Sequence, residues 1–295
     1  MNGTVTAGID GTAPASAAAD WAARHAAREG MRLHLVHAPA HGPLDDLGAA
    51  GPEARRRWAL GVLREARDRV LTAHPGLPVG TELLSGAPVP ALTAASAESE
   101  LLVVGSRGYG ALRAHLLGSV SLGVLRHTDR PVVVTRTPLA AAAPDRPEEV
   151  VVGIDATSAG PEPGMDRVLD FAFARAAARG ATLCVVHAWP APTTLVWSPG
   201  GLRPAEDVAE AREAQPRYAR MLCEALRPWR ARYPGVAVVE HVRSGAASEV
   251  LTARADGAGL VVVGRRGHGA GPRRIGAVTH AVLHHVPGAV AVVPV

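Results

Sequence analysis

The chain is written twice. The first strand-like run ends "TAGID" at Asp10, and "VVGID" at Asp155 repeats it 145 residues later. "ADWAARHAAREGMRLHLVHA" (19–38) returns as "LDFAFARAAARGATLCVVHA" (169–188) at an offset of 150. "SGAPVPALTAASAESELLVVGSRG" returns as "SGAASEVLTARADGAGLVVVGRRG" at an offset of 159. The offset grows because the second copy carries extra residues before Gly180 and between His187 and Gly245. The spacing near the glycine turns stays fixed: Gly86 to Gly105 and Gly245 to Gly264 both span 19 residues. Drift in connections around a constant element marks a duplicated domain, and the period is too long for a solenoid. A chain of 295 residues gives each copy enough length to bury its own core.

Each copy alternates strand and helix. In copy one the apolar runs predict strands near 4–10, 31–38, 78–84, 100–105 and 131–135. Helices are predicted near 14–29, 52–73, 88–98 and 118–127. The strand runs are nearly continuous in apolar residues, as expected for strands covered on both faces. The fold class is therefore α/β: two tandem three-layer domains, each an open, mainly parallel, Rossmann-like sheet of five strands. The expected boundaries are 1–137 for the first domain, 138–148 for a Pro- and Ala-rich linker, and 149–295 for the second domain.

All 31 basic residues are arginine, against 27 acidic ones. Without lysine there is no Walker A loop and no Schiff-base enzyme. Any phosphate must be held by backbone N–H groups, hydroxyls or arginine. Cys184 and Cys223 have no metal or redox spacing and read as buried free thiols in a reducing compartment. No apolar run approaches the ~20 residues of a membrane span, and "MNGTVTAGIDGTAP" lacks the basic and apolar regions of a signal peptide. The expectation is a cytoplasmic protein, off the membrane.

Ligands of open parallel sheets bind at the carboxyl ends of the strands, where strand order reverses. The turn after the first strand reads "GIDGTAP" or "GIDATSAG", without the glycine pattern of a dinucleotide site. The glycines gather after the fourth strand instead: "GSRGYGALRAHLLGSVS" (105–121) and "GRRGHGAGPRRIGAVT" (264–279). Small residues there let a ligand approach the backbone closely and allow positive φ. The next helix opens at "GSV", whose first N–H groups lack helical acceptors and carry the positive end of the dipole. That is a phosphate-binding arrangement, to which Ser119 and Ser121 add hydroxyls and Arg107 or Arg113 adds charge.

These residues resemble a known family. Gly105-x2-Gly108-x9-Gly118-Ser119 matches the glycine signature of the ATP-binding subgroup of universal stress proteins, and Asp10 matches that family's acidic residue after the first strand. The resemblance covers essentially the whole chain as a tandem pair. It implies ATP, alone or with Mg²⁺, lying across the ends of strands 1 and 4. Gly8, Asp10 and Ala38 would line the adenosine end. Gly105, Ser106, Arg107, Gly108, Gly110 and Ala111 would wrap the ribose and α-phosphate, and Gly118, Ser119, Val120 and Ser121 would cradle the outer phosphates. In the second copy the corresponding set is Gly153, Asp155, Ala188, Gly264, Arg265, Gly267, Gly276 and Thr279. That copy departs from the signature: its glycine loop is one residue shorter, Ala277 replaces the serine, and Pro272 removes an N–H donor. The second site is expected to be the weaker, unless Arg273 and Arg274 compensate.

The function implied is an ATP-binding regulatory protein rather than an enzyme, with at most slow ATP hydrolysis. The alternatives are a slow ATPase or adenylate-using enzyme of related fold, and a nucleotide-free interaction module. Its downstream partner and inducing stress are not written in the sequence. "SVSLG" (119–123) is no nucleophile elbow, because a helix-like run rather than a strand precedes it. His280 and His284 are at i, i+4 spacing but have no third ligand nearby. The arginine–aromatic clusters "ARRRW" and "RPWRARY" are interleaved with acids, so nucleic acid is not an expected partner. The last strand of each copy, "PVVVTR" and "AVAVVPV", would be an exposed apolar edge unless covered. In single-domain members of the resembled family two such edges pair. The expectation here is an intramolecular pseudo-dimer through strand 5, compatible with a further homodimer.

Overall fold

The structure is a computed structural model. It describes residues 3–39, 51–106, 117–136, 148–157, 160–161, 164–190, 193–198, 201–206, 208–265 and 274–295. The first copy runs β1 (Thr4–Gly8), α1 (Ala13–Glu29), β2 (Arg32–His37), α2 (Pro52–Ala73), β3 (Val79–Leu83), α3 (Pro88–Ala97), β4 (Leu101–Gly105), α4 (Ser119–His127) and β5 (Val132–Thr135). The second opens with β6 (Glu149–Ile154) and two short segments, β7 (Ala156–Thr157) and β8 (Gly160–Pro161). It continues through α5 (Met165–Arg179) and β9 (Thr182–Trp189) to a hairpin, β10 (Thr193–Ser198) and β11 (Gly201–Glu206). It ends with α6 (Val208–Arg232), β12 (Val238–Ser244), α7 (Ala247–Arg254), β13 (Leu260–Arg265), α8 (Ala277–His285) and β14 (Val290–Pro294). Residues 137–147, which hold nearly all of the expected linker, lie outside the described residues.

The helix boundaries follow local chemistry. The Thr12 hydroxyl accepts from the Ala15 N–H at the start of α1, and Pro stands in its first turn. Gly30 and Gly180 end α1 and α5 in the left-handed conformation, at φ 63° and 59°. Among the described residues no helix is long and apolar enough to cross a membrane.

Ten strands form one sheet in the order β12-β9-β6-β13-β14-β5-β4-β1-β2-β3. Within each copy the neighbours are parallel, and the order reverses between the first and fourth strands: β1 beside β4, and β6 beside β13. The copies meet where β5 pairs antiparallel with β14, Val132–Val134 against Val290–Val292. The expected exposed edge is thereby covered by its counterpart. Two apolar layers line the sheet, and each spans both copies. Val133 and Ala291 join the layer under α1 and α5, whereas Val132, Val134, Val290 and Val292 join the layer under α4 and α8. The core is therefore continuous through the interface.

Cys184 is buried as expected, but Cys223 is exposed on α6, contrary to the sequence reading. A helix-like apolar pattern around it identifies the element; it does not fix which face turns to solvent.

Candidate functional site

The reversal between β1 and β4 leaves a crevice at the strand ends, and the residues around it are held from beneath. Ile9, just past β1, donates its N–H to the Val36 carbonyl at 2.8 Å. Its own carbonyl lies 2.7 Å from Nδ1 of His37, which is buried, so Nδ1 carries the proton and donates. The Trp58 ring meets His37 edge-on at 5.5 Å. Asp10 follows, its carboxylate accepting from the Thr12 N–H (3.0 Å) and hydroxyl (2.5 Å). The Asp10 carboxylate is thus pre-oriented at the mouth by the residue that also caps α1. Sequence reasoning passed over His37 as a site element; its position at the end of β2, opposite Ile9, was the available signal.

The far side of the crevice is β4 and the start of α4. Gly118 caps α4 at φ −63° with no side-chain hydrogen bond, so the first-turn N–H groups have no capping acceptor. Among the described residues, a Cβ added at Gly118 would meet nothing closer than the Ser121 Oγ at 4.0 Å. Ser119 is exposed and Val120 half-buried. Ser121 is buried and donates its hydroxyl proton to the Gly105 carbonyl at 3.1 Å, tying α4 to β4. Ser106 is also buried, its N–H bonded to the Thr135 carbonyl.

The glycines do not all serve one purpose. At Gly105 a Cβ would lie 2.4 Å from the Pro14 carbonyl carbon and 2.6 Å from the Ala15 nitrogen. Gly105 is required by the backbone of α1 passing over the end of β4. The expectation of positive φ is corrected for Gly105, Gly118, Gly264 and Gly276, none of which adopts it. Gly8 is half-buried at the end of β1, and Ala38 half-buried after β2. Arg107, Gly108, Gly110, Ala111 and Arg113 lie outside the described residues.

The second copy repeats the frame. His187 is buried with Nδ1 3.4 Å from the Ile154 carbonyl, and Thr279 donates to the Gly264 carbonyl at 2.8 Å, as Ser121 does to Gly105. Gly276 caps α8 without a side-chain bond. Here the described residues enclose a cavity of about 740 Å³ at the strand ends. Gly153, Asp155, Ala188, Gly264, Gly276 and Thr279 all line it, joined by the apolar side chains of Met165 and Val186. Six of the eight residues anticipated for this copy therefore converge on one cavity.

Arg265 does not. It is 1% exposed and donates from Nη2 to the Thr128 carbonyl, 2.5 Å away across the interface at the end of α4. Its assignment as a ligand contact is corrected. Successive side chains of a strand point to opposite faces, and the one after Gly264 is turned toward the first copy. Arg136, past β5, makes the reciprocal contact: it donates to the carbonyls of Leu283 and, at 3.2 Å, His284 near the end of α8. Gly267, Pro272 and Arg273 lie outside the described residues. The His280 and His284 rings sit 4.2 Å apart, and no group of three His, Cys, Asp or Glu side chains able to hold a metal occurs among the described residues.

Comparison with known proteins places this geometry in context. The sequence model of the universal stress protein family matches residues 1–136 and again 148–294. A universal stress protein of Mycobacterium tuberculosis is 33% identical over 289 residues, covering 95% of this chain and 93% of the relative. Another from the same organism is 34% identical over 273 residues, covering 90% and 87%. The crystal structure of a universal stress protein from Archaeoglobus fulgidus superposes over 99% of this chain and 98% of its own, with a TM-score of 0.69 and 19% identity. That last likeness is one of fold.

Proposed function

The chain belongs to the universal stress protein family, and from that premise we propose that it is an adenine-nucleotide-binding regulatory protein, its ATP held in the first copy across the ends of β1 and β4. The observation that carries this reading is the start of α4 at Gly118, which has no side-chain cap and corresponds to Gly276 of the second copy, where the helix start and Asp155 line one cavity. Free N–H groups and the helix dipole favour an anion there. The exposed Ser119 hydroxyl adds a donor. Asp10, already oriented by Thr12, offers an acceptor for ribose hydroxyls. Mg²⁺ would arrive on the phosphates, since the described residues gather no three-ligand site for it.

The described residues put no paired acid and base at the start of α4, and Ser121 is engaged by the Gly105 carbonyl. Binding rather than turnover is therefore the proposed activity, read out by partners that distinguish the loaded from the empty state. The second copy takes nucleotide more weakly. Its helix starts with Ala277 in place of a serine, and Arg265 is committed to Thr128.

Titration calorimetry of ATP into wild type and Gly118→Val tests the reading. A valine at Gly118 fills the space the phosphates would use, and affinity should fall at least tenfold, about 1.4 kcal/mol. Unchanged affinity refutes the cradle at α4.

A further inference from the structure

The antiparallel pairing of β5 with β14 creates an approximate two-fold axis between the copies. Val133 and Ala291 hold the same position in the two copies and face each other in the register. On the α1/α5 side the same holds for His25 and Arg175, aligned by the repeat, with Nη1 of Arg175 2.6 Å from Nε2 of His25. A residue on a two-fold axis meets its own counterpart. In a true homodimer it must tolerate itself; in a duplicated chain the two can diverge.

They have diverged in charge. Copy one presents His25 and Glu29, and copy two presents Arg175 and Arg179 at the same two positions. Arg175 lies 3.0 Å from Glu29. Arg179 pairs with Glu148, which also accepts from Arg28 of α1 at 3.1 Å. Trp21 stacks on His25 at 5.1 Å, with the Arg179 guanidinium over its ring at 5.3 Å. The centre of the cluster is buried, with side-chain exposure of 2% for His25, 7% for Arg179, 11% for Arg175 and 15% for Glu29, while Glu148 and Arg28 at its rim are 31% and 42% exposed. Arg175 donates to Nε2, so His25 is neutral with its proton on Nδ1, facing Glu29 at 3.8 Å. Burial first, and the three arginines after it, hold the His25 pKa down at about 3.

The strand edges themselves carry no such distinction, since valine and alanine pair with either copy. We infer that this axial cluster makes the interface heterotypic, so that the face formed by α5 and β14 accepts the α1/β5 face of a first copy and rejects another second copy. Pairing two second copies would bring Arg175 onto Arg175 in a buried site with no Glu29. Pairing two first copies would bury Glu29 without its arginine. In any assembly built by exchange between chains, a first copy can therefore be replaced only by a first copy. The inference does not depend on the nucleotide reading.

The test uses the full-length chain and amide hydrogen exchange of β5 and β14, with β1 as internal control. His25→Arg combined with Glu29→Arg gives copy one the residues of copy two. Exchange in β5 and β14 should then be at least tenfold faster while β1 is unchanged. His25→Gln with Glu29→Gln removes the same groups without adding charge and should accelerate exchange less. Adding Arg175→His and Arg179→Glu to the double-arginine chain exchanges the two sets of residues and should bring exchange back to within about threefold of wild type. If the double-arginine chain does not fold, recovery of folding on adding Arg175→His and Arg179→Glu supports the inference just as well. Equal exchange in the arginine and glutamine variants, or no recovery in the exchanged chain, overturns it.

Discussion

Acid should loosen this protein through one side chain, His25. The perturbation is a fall from about pH 8 to about pH 5. A free histidine titrates near 6.5, whereas His25 is held down at about 3 by burial and by Arg175, Arg179 and Arg28. A group whose folded pKa is depressed contributes stability that is present above its unfolded pKa. For His25 that contribution is full above 6.5 and is lost as the pH falls toward 3. By linkage the loss at about pH 5 is roughly 2 kcal/mol, and the whole shift is worth at most about 5 kcal/mol. The groups facing His25 are Arg175 and Arg179 from α5, and Arg28 and Glu29 from its own helix. Glu29 works in the opposite sense. Burial raises its pKa above the usual carboxylate value, so its contribution is full below 4.5 and declines as the pH rises through the folded value. His241, whose pKa burial also lowers, adds a loss of the same sign as His25. Both groups remain in a His25→Gln variant, so the difference between the two proteins isolates His25. Glutamine still offers an oxygen to Arg175. Urea unfolding at the two pH values gives the answer. Wild type should lose about 2 kcal/mol more than His25→Gln on acidification. Equal losses would refute the claim that a neutral histidine on the axis supports the interface.

Three further outcomes are expected. Gly105→Ala should destabilise by about 1–3 kcal/mol, because the added carbon meets the backbone of Pro14 and Ala15, whereas Gly118→Ala should change thermal stability by less than ~0.5 kcal/mol. Ser121→Ala and Thr279→Val each remove a side-chain hydrogen bond to a strand-end carbonyl and should cost about 1 kcal/mol in urea unfolding. Ala277→Ser restores the missing hydroxyl at the start of α8. Calorimetry in an Asp10→Ala background should show ATP binding at the second copy strengthened roughly tenfold.

Much of the fold was legible because its signals are local. The apolar runs at 101–105 and 132–135 are continuous enough to mark strands covered on both faces, and α2 spans the same residues in sequence pattern and structure. The pairing of β5 with β14 was implied by two apolar edges that needed covering, together with the resemblance to a family whose single-domain members pair them. What escaped was direction. Arg265 follows a glycine in a site-like loop, but whether its side chain enters the crevice or crosses to Thr128 depends on where the other copy lies. Ser121 reads as a phosphate hydroxyl until the Gly105 carbonyl is found within reach. Neither His37 nor His187 stands out in the sequence, although each ring Nδ1 meets the carbonyl of the residue before the acidic one. The β10–β11 hairpin was seen only as extra length between His187 and Gly245.

The crossed contacts of Arg136 and Arg265 give the short helices α4 and α8 a mechanical character. Each is nine residues, about 13 Å long. Its leading end opens on its own crevice, and its trailing end rests on a guanidinium from the other copy. Each helix is thus a strut with one foot in either half of the molecule. A force applied at Gly118 is resisted at Arg265, which adjoins Gly264 of the second crevice; a force at Gly276 is resisted at Arg136, one residue beyond the end of β5. Tilting either strut displaces a footing beside the opposite site. Each half therefore buttresses the helix that opens on the other's crevice, whether or not its own crevice holds a ligand.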